Sequence, residues 1–239
     1  MLIKNKVQIH RLGLIDYEKA WQYQKQLHQT LIDEKLVERA NNIVGKKQNK
    51  IHHLIICSHP HTYTLGRNGN KNHLLASEFF LEKINAKFYE IDRGGDITYH
   101  GPGQIVVYPI FDLDYFITDI DKFLRLLEES VINILQKYGV YAGRIRGASG
   151  VWLNINKQPE PPRKICAMGI KCSRWITMHG IAINLNVDLS YFNHIIPCGL
   201  LDKSVANLSS ELLSTIDENN FVEYFLLELK TVFNVDYLN

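Results

Sequence analysis

The sequence predicts an α/β or α+β fold in which helices flank a mixed, largely antiparallel sheet. Helix-like segments stand near both ends and in the middle of the 239 residues, with six or seven strand-like segments between them. Short connections join the strands after residue 148, and such connections favour antiparallel pairing. Because no stretch has the composition of a linker, we expect residues 1–239 to form one domain.

Three helices are predicted from apolar residues that recur at helical spacing. The first covers residues 17–39, where Ala20, Trp21 and Leu31 share one face. The second covers 121–139, begins at a cap formed by Asp119 or Asp121, and ends near Gly139. The third covers 219–235 and has a broad apolar face.

The predicted strands are short apolar runs bounded by turn-forming residues. They cover residues 51–60, 86–91, 105–113, 150–155, 164–171 and 178–189. An Asn-Gly turn lies within 64–75, and a proline-rich loop of hairpin length, 156–163, joins two of the strands. A glycine-rich stretch, 93–104, interrupts the pattern and is either a tight turn between strands or a ligand-binding segment.

Composition narrows the class of protein and its partners. The net charge is +2, which gives no reason to expect nucleic acid as a partner. Neither a signal peptide nor a run of about 18 apolar residues is present in the sequence, so we expect a cytoplasmic protein without a membrane partner. The four cysteines form no C-x-x-C pair and are expected to be free thiols.

Two separate residues are candidates for a nucleophile and the charge that activates it. Cys198 stands between Pro197 and Gly199, a turn that presents the sulfur at a loop. Lys164 opens the strand-like run KICAMG, and a nearby cation lowers the pKa of a cysteine from about 8.5. The alternative is an inert buried thiol and a lysine at the edge of a strand. Cys57 is predicted to lie in the core.

The stretch RGGDITYHGPGQ, residues 93–104, is the main candidate for ligand binding. Adjacent glycines allow the backbone to approach a ligand, and exposed N–H groups bind an oxyanion or a carbonyl. The stretch does not match a phosphate-binding P-loop. Asp96 places an acid within it, and this acid would repel an anionic ligand if it faced the site.

Histidines and a basic segment are further candidates. His179 precedes Gly180 and is expected either to orient the substrate or to be a structural histidine. His59 and His61 lack a third ligand in the sequence pattern, so no metal is expected there. Residues 143–180 carry seven cations and one acid, which fits either a solvated face or a docking patch for an acidic partner.

Four motifs in this order, RGGDITYHGPGQ, KICAMG, MHGIAIN and IIPCG, resemble the lipoyl(octanoyl) transferases. The resemblance covers residues 8 to 210. It implies the fold of the biotin and lipoate ligase catalytic core. It also implies transfer of an octanoyl group from acyl carrier protein, through a cysteine thioester, to a lysine of a lipoyl domain. The acceptors implied are 2-oxoacid dehydrogenases and the glycine-cleavage H protein, and no ATP, metal or other cofactor is needed.

The resemblance also assigns roles to residues. It makes Cys198 the nucleophile and Lys164 the residue that lowers its pKa, and it leaves His179 as a possible supporting residue. The substrate-binding residues that it implies are Arg93, Gly94, Gly95, Asp96, Ile97, Thr98, Tyr99, His100, Ala167, Met168, Gly169, Gly180, Ile181 and Ala182.

Three alternatives share parts of the same pattern. An ATP-dependent lipoate or biotin ligase would have the same fold and would not need Cys198. A non-catalytic module that binds carrier proteins or lipoyl domains would not need Lys164 and Cys198 to be neighbours. A cysteine hydrolase would use His100 or His179 as its base and would admit water.

Overall fold

The computed structural model describes residues 4–43, 50–156, 160–196 and 204–238. Its helices are α1 (Tyr17–Ala40), α2 (Glu78–Lys83), α3 (Ile120–Lys137), α4 (Leu208–Leu212) and α5 (Glu218–Phe233). Its strands are β1 (Asn5–Leu14), β2 (Ile51–Ser58), β3 (Thr62–Leu65), β4 (Lys87–Glu90), β5 (Ile97–His100), β6 (Gln104–Ile110), β7 (Gly143–Ile145), β8 (Ala148–Leu153), β9 (Arg163–Ser173), β10 (Ile176–Asn184), β11 (Ser204–Val205) and β12 (Val235–Leu238).

The strands form one large sheet and one small sheet. The large sheet has the order β12-β1-β2-β6-β10-β9-β8-β7, and β11 pairs with β9. β1 pairs in parallel with β2 and β12, and β11 is parallel to β9, whereas the other pairs of this sheet are antiparallel. The small sheet has the order β4-β3-β5. The predicted mixed, largely antiparallel sheet is confirmed.

Helices cover both faces of the large sheet. α3 and α5 pack on one face, where Phe123 and Phe225 lie in the largest apolar cluster together with sheet residues Ile165 and Ile183. α1 packs on the other face, where Leu31 contributes to a second cluster. A third cluster lies under the small sheet. The large sheet is therefore a central layer, and Tyr17 of α1 stacks against Tyr89 and His100 of the small sheet.

The three predicted helices are confirmed, with local capping that explains their ends. Asp16 caps α1 by accepting hydrogen bonds from the amides of Glu18 and Lys19. Of the two caps considered for α3, Asp119 is the one used, because its side chain accepts from the amide of Lys122. Gly139 follows the end of α3 with a φ of 76°, a backbone conformation that glycine adopts at little cost.

Six strands were missed by the sequence analysis: β1, β3, β5, β7, β11 and β12. In β1, Val7 alternates with Ile9 and Leu12 with Leu14, but a bulge between Arg11 and Gly13 breaks the alternation between the two pairs. β5 lies inside the glycine-rich stretch 93–104, where no strand was predicted. Ile97 and Tyr99 are buried in the third cluster, so this segment is a strand with core contacts of its own. The glycines on either side made its sequence look unlike a strand.

Four buried charged groups and the partly buried Asp114 fix α1 to the large sheet. Nζ of Lys35 lies 2.6 Å from Asp112 and 2.7 Å from Asp114, and Nζ of Lys50 lies 3.0 Å from Asp112 and 3.1 Å from Glu38. Lys35 and Glu38 belong to α1, whereas Asp112 and Lys50 adjoin the ends of β6 and β2. Removing either the carboxylate or one of the ammonium groups would leave a buried charge without its partner, which strongly destabilises a fold.

We expect Asp112→Asn to lower the free energy of unfolding by about 3–5 kcal/mol, because it leaves two buried lysines with fewer acidic partners. Urea denaturation measures this loss. Glu90→Gln, which breaks the exposed ion pair between Glu90 and Lys71, is the control and should cost less than about 1 kcal/mol. Equal losses in the two variants would contradict a stabilising role for the buried network.

Candidate active site

A β-bulge in β9 sets the direction of the Lys164 side chain. Cys166 stands opposite Val151 of β8, but Lys164 stands opposite the next residue, Trp152, so Ile165 is an extra residue in β9. Ile165 and Cys166 are consecutive, yet both are fully buried in the cluster under α3 and α5. Lys164 consequently lies on the opposite face with Ala167, in the wall of a cavity. Bulges are known to redirect side chains in this way.

The environment of Lys164 is aromatic and closely packed. Its ammonium nitrogen lies 4.6 Å from the centroid of the Trp152 ring, within the range of a cation–π interaction. Gly150 passes close beside the lysine with a φ of 112°. A Cβ at this position would lie 3.4 Å from Cε of Lys164 and 2.5 Å from the carbonyl oxygen of Cys166. The lysine stem therefore runs over a backbone that has room only for glycine.

The glycine-rich segment rests directly on β9. Gly94 donates its amide to the carbonyl of Ile170 at 2.9 Å, so this N–H is already bonded. A Cβ at Gly169 would lie 2.5 Å from the carbonyl oxygen of Gly94. Arg93 ties the segment to β3, since its guanidinium donates to the Thr64 carbonyl at 2.6 Å and to the Thr64 hydroxyl at 3.0 Å. The glycines thus permit a close backbone contact between the two sheets.

Asp96 lines the cavity, but its carboxylate has partners of its own. It accepts a hydrogen bond from Nδ1 of His73 at 2.5 Å and from the amide of Asn70 at 3.3 Å. The carbonyl of His73 in turn accepts the amide of Ile196 at 2.8 Å. Asp96 therefore links the glycine-rich segment to the strand-like residues that lead toward position 198.

The side chains of Tyr99 and His100 have different surroundings although the two residues are adjacent in β5. Tyr99 is fully buried in the cluster under the small sheet, where its hydroxyl is 2.7 Å from Nδ1 of His61. His100 lines the cavity and binds the side-chain oxygen of Gln104 at 2.8 Å. Burial lowers the pKa of His100 to about 3, so its imidazole is neutral at physiological pH.

His179 occupies a strained position in the cavity wall. Its φ is 61°, which is uncommon for any residue other than glycine. β6 pairs with β10 only from Ile181 onward, and the amide of His179 donates instead to Oε1 of Gln24 at 3.0 Å. Nε2 of the ring lies 2.9 Å from Asp92, and Asp92 also binds Nζ of Lys171 at 2.6 Å. The hydrogen bond from His179 is the main reason why the pKa of Asp92 is lowered.

The cavity gathers most of the candidate residues. Those in its wall are Arg93, Gly95, Asp96, Ile97, Thr98, His100, Lys164, Ala167, Met168, Gly169, His179, Gly180, Ile181 and Ala182. Gly94 and Tyr99 are not among the lining residues. Cys198 lies outside the described residues.

Seven further residues line the cavity and were not identified from the sequence. They are Tyr17, Val106, Tyr108, Ser149, Asn184, Phe192 and Val205. Tyr17 opens α1, and Tyr108 lies within the all-buried strand β6, so both look like ordinary core residues in a sequence. Only Asn184, which follows the GIAI run of β10, stands in a motif that the sequence analysis examined.

The three cysteines that the structure describes are poor nucleophiles. Burial raises the pKa of Cys57, Cys166 and Cys172 above the ordinary value of a thiol. For Cys166, burial outweighs the favourable effect of the nearby Lys164 ammonium. Cys57 lies in the core, as predicted.

The basic segment 143–180 is largely balanced by acids from elsewhere. Arg144 binds Glu128 and Glu129, Arg163 binds Glu211, and Lys171 binds Asp92. Four acids outside the segment thus pair with three of its cations. The pairing favours the interpretation as a solvated face over that of a docking patch.

Neither a metal site nor a membrane span is found in the described ranges. No group of three or more His, Cys, Asp or Glu side chains there is arranged to hold a metal ion. Within the same ranges, every helix is too short or too polar to cross a bilayer.

The lowered pKa of Asp92 predicts a pH-dependent contribution to stability. Above the unfolded-state pKa of about 3.9 the contribution is complete, and it is lost as the pH falls through the lower folded-state value. We expect Asp92→Asn to lower the free energy of unfolding at neutral pH by about 1 kcal/mol or less, because the group is partly solvated. Urea denaturation over a pH series should show this difference shrinking below about pH 4. A difference independent of pH would contradict the assignment.

Comparison with known proteins identifies the family. A model of the lipoyl protein ligase A/B catalytic domain matches residues 16–230. The chain is 49% identical over 229 residues to an octanoyltransferase of Cytophaga hutchinsonii, covering 96% of this chain and 93% of that protein. It is 47% identical over 235 residues to an octanoyltransferase of Flavobacterium johnsoniae, covering 98% of this chain and 99% of that protein.

Solved structures support the same fold. A bipartite lipoate protein ligase of Thermoplasma acidophilum matches with a TM-score of 0.69 and 14% identity, covering 98% of this chain and 86% of that one. Lipoate-protein ligase A bound with ATP matches with a TM-score of 0.66 and 14% identity, covering 99% of this chain and 88% of that one. These identities show a shared fold alone. The family model and the two sequence relatives confirm the resemblance carried by the four motifs, and the chain belongs to the lipoyl protein ligase A/B catalytic domain family.

Proposed function

We propose that this chain is an octanoyltransferase of protein lipoylation that works through a thioester on Cys198. The observation that carries the proposal is the bulge at Ile165, which places the ammonium of Lys164 in the wall of an otherwise mostly apolar cavity. A cation held beside a cysteine stabilises the thiolate and lowers the pKa of the thiol. Because the three other cysteines have raised pKa values, Cys198 is the nucleophile in this proposal.

The chain on either side of position 198 supports this assignment. On the N-terminal side, Ile196 donates its amide to His73, and Phe192 lines the cavity. On the C-terminal side, Val205 pairs with Lys164 itself and also lines the cavity. A bidentate contact between Arg163 and Glu211, at 2.5 and 3.0 Å, holds the following helix α4 against β9.

In the proposed reaction, the Cys198 thiolate attacks the thioester carbonyl of the donor. The bond from the acyl carbon to the donor sulfur breaks, and the donor leaves as a thiol after it takes a proton. The lysine amine of the acceptor then attacks the acyl-enzyme and loses a proton, an amide bond forms, and Cys198 leaves as a thiolate. Gly95 lines the cavity and is the candidate backbone donor to the oxyanion, since the amide of Gly94 is already bonded.

The acyl chain would lie along the ladder between β9 and β10. Ala167 stands opposite Ala182, and Gly169 stands opposite Gly180, so this part of the wall has little side-chain bulk. Val106 and Met168 add apolar surface. Each methylene buried there contributes about 0.8 kcal/mol, which favours a medium-length chain over a short one.

The acceptor in this proposal is a lysine of a lipoyl domain in 2-oxoacid dehydrogenases or the glycine-cleavage H protein. The donor is octanoyl-acyl carrier protein. All 239 residues would form one catalytic domain that works in the cytoplasm. The family match, the octanoyltransferase relatives and a fold shared with a ligase studied with its E2 lipoyl domain support this assignment.

An ATP-dependent ligase is the rival function, because ligases share the fold. The transferase and the ligase differ in how the acyl group is activated. A transferase forms an acyl-enzyme from a carrier thioester without ATP, whereas a ligase needs ATP and the free acid. A non-catalytic module would form no acyl-enzyme, and a hydrolase would release free octanoate in place of octanoylated lipoyl domain.

We expect the wild-type chain to gain one octanoyl group when it is mixed with octanoyl-acyl carrier protein, and Cys198→Ala to gain none. Intact-mass spectrometry measures both, and peptide mapping locates the adduct. Cys172→Ala removes a half-buried thiol and is the matched control, which should still acylate. Normal acylation of Cys198→Ala would refute the proposed nucleophile.

The packing around Lys164 predicts that a substitution at Gly150 will slow acylation. In Gly150→Ala the new Cβ would lie 2.5 Å from the Cys166 carbonyl oxygen, so the backbone of β9 beside Lys164 must shift. Acylation should then slow by at least about tenfold, the effect of a barrier higher by about 1.4 kcal/mol. Gly147→Ala is the control, because Gly147 also has a positive φ, 77°, but has nothing within 4 Å of its Cβ position. The two variants share the backbone strain of alanine at positive φ. Equal acylation rates in both variants would mean that the position of the β9 backbone beside Lys164 does not affect the reaction.

A further inference from the structure

One row of side chains crosses the large sheet and forms the floor of the cavity. Ala182 of β10 stands opposite Ala167 of β9 on one side and opposite Val106 of β6 on the other, and all three line the cavity. The next member of the row is Cys57 of β2, which stands opposite Val106 but is not among the lining residues. The floor therefore runs across three strands and ends between Val106 and Cys57.

The side chain of Lys164 stands at the start of this row. In the antiparallel pairing of β8 with β9, the register places Gly150 beside Ala167. Cε of Lys164 would lie 3.4 Å from a Cβ at Gly150, and its ammonium lies 4.6 Å from the Trp152 ring, so the charged end stands over β8. From β8 to Val106 the row covers three strand spacings, which is about 14 Å.

The glycine-rich segment closes the path that continues along the strands. The next pair of the β9–β10 ladder is Gly169 with Gly180. A Cβ at Gly169 would lie 2.5 Å from the carbonyl oxygen of Gly94, so the segment rests on the sheet there. An acyl chain that follows the ladder must therefore turn at the two alanines before this point and cross β10 toward Val106.

The length of this path matches an eight-carbon acyl group. An octanoyl thioester has eight bonds from the sulfur to the methyl carbon, and it spans about 10 Å at the ~1.2 Å per bond of an extended chain. The sulfur itself would stand about 3 Å from the Lys164 ammonium, within hydrogen-bond reach. The methyl group consequently falls over Val106, at the end of the row.

Tyr17 closes the far end of the row. It lines the cavity and is 2% exposed. Its ring lies 5.1 Å from the ring of His59, and Nε2 of His59 lies 3.5 Å from the sulfur of Cys57. The ring also stacks against Tyr89 and His100, so the small sheet and the residue after β2 hold it in place.

We propose that Tyr17 limits the acyl group that this protein accepts to about eight carbons. The inference rests on the proposed function, in which the acyl group is held as a thioester beside Lys164. An octanoyl chain ends before the Tyr17 ring, whereas two further methylenes would overlap it, and overpacking of this kind is unfavourable. The position of one side chain of α1 thus selects medium-length over longer acyl groups.

The first test compares octanoyl- and decanoyl-acyl carrier protein as donors. In Tyr17→Ala the ratio of the acylation rate constant for decanoyl to that for octanoyl should rise by at least about tenfold, because two more methylenes are buried at about fourfold each. Tyr17→Val, which keeps more of the core contacts, should change the ratio in the same direction. An unchanged ratio in these variants would overturn the proposal.

Tyr23→Ala is the matched control for the first test. It makes the same substitution on α1, at a side chain that bonds His10 at 2.9 Å and is not part of the cavity wall. Its ratio of decanoyl to octanoyl rate constants should equal that of the wild type. A rise as large as that in Tyr17→Ala would mean that loosening α1, and not opening the row, changes the selection.

Val106→Phe tests the same row from the opposite direction and leaves Tyr17 in place. The larger side chain fills the end of the row, so the ratio of the acylation rate constant for hexanoyl to that for octanoyl should rise by at least about tenfold, since two methylenes lose their site. An unchanged ratio would show that the chain does not end at Val106 and would overturn the path toward Tyr17.

A binding measurement separates this proposal from the proposed function. Free octanoic and decanoic acids are probes that need no acyl transfer, and calorimetry gives their Kd values for the wild type and for Tyr17→Ala. We expect the wild type to bind octanoic acid more tightly and Tyr17→Ala to bind decanoic acid more tightly. The same order in both proteins, or no binding of either acid, would overturn the length limit. Failure to form any acyl-enzyme would overturn the transferase, and the order of the Kd values would still decide the role of Tyr17.

Discussion

The site depends on one extra residue in one strand. Without Ile165 as a bulge, strict alternation along β9 would place Lys164 on the same face as Cys166, in the core under α3 and α5. An unpaired ammonium in that core would be strongly unfavourable. The bulge places the ammonium on the face that carries the cavity, where the lysine lies beside the Trp152 ring and the backbone of Gly150. The rest of the cavity wall is positioned by strands that pair with this one.

A cavity of this kind suits transfer more than hydrolysis. Its wall combines small residues, apolar side chains and histidines that burial keeps uncharged. The acids nearest to it are engaged, since Asp96 binds His73 and Asp92 binds both His179 and Lys171. A thioester moved onto a thiolate in such surroundings meets few groups that would activate water. Exchange of one thioester for another is nearly balanced in energy, and formation of an amide in the second step drives the reaction forward.

Much of this site could be predicted from the sequence because its parts are local motifs. Glycine pairs mark close backbone contacts, and the motifs around Lys164 and His179 each lie in a single strand. The bulge could not be predicted, since it is a property of how β9 pairs with β8. The same limit applies to Tyr17 and Tyr108, which reach the cavity only through the packing of α1 and β6. The buried ion network was also missed, because partners such as Lys35 and Asp112 are 77 residues apart in the chain. β1 was missed for a different reason, because the bulge between Arg11 and Gly13 interrupts its apolar alternation.

The pKa of the Cys198 thiol tests most directly whether Lys164 activates it. The rate of alkylation of Cys198 by iodoacetamide, measured by peptide mass across a pH series, reports the fraction of thiolate. We predict a midpoint well below the ordinary cysteine value of about 8.5, and a rise toward that value in Lys164→Met. A midpoint at or above about 8.5 in the wild type, unchanged by Lys164→Met, would contradict the proposed pairing of the two residues.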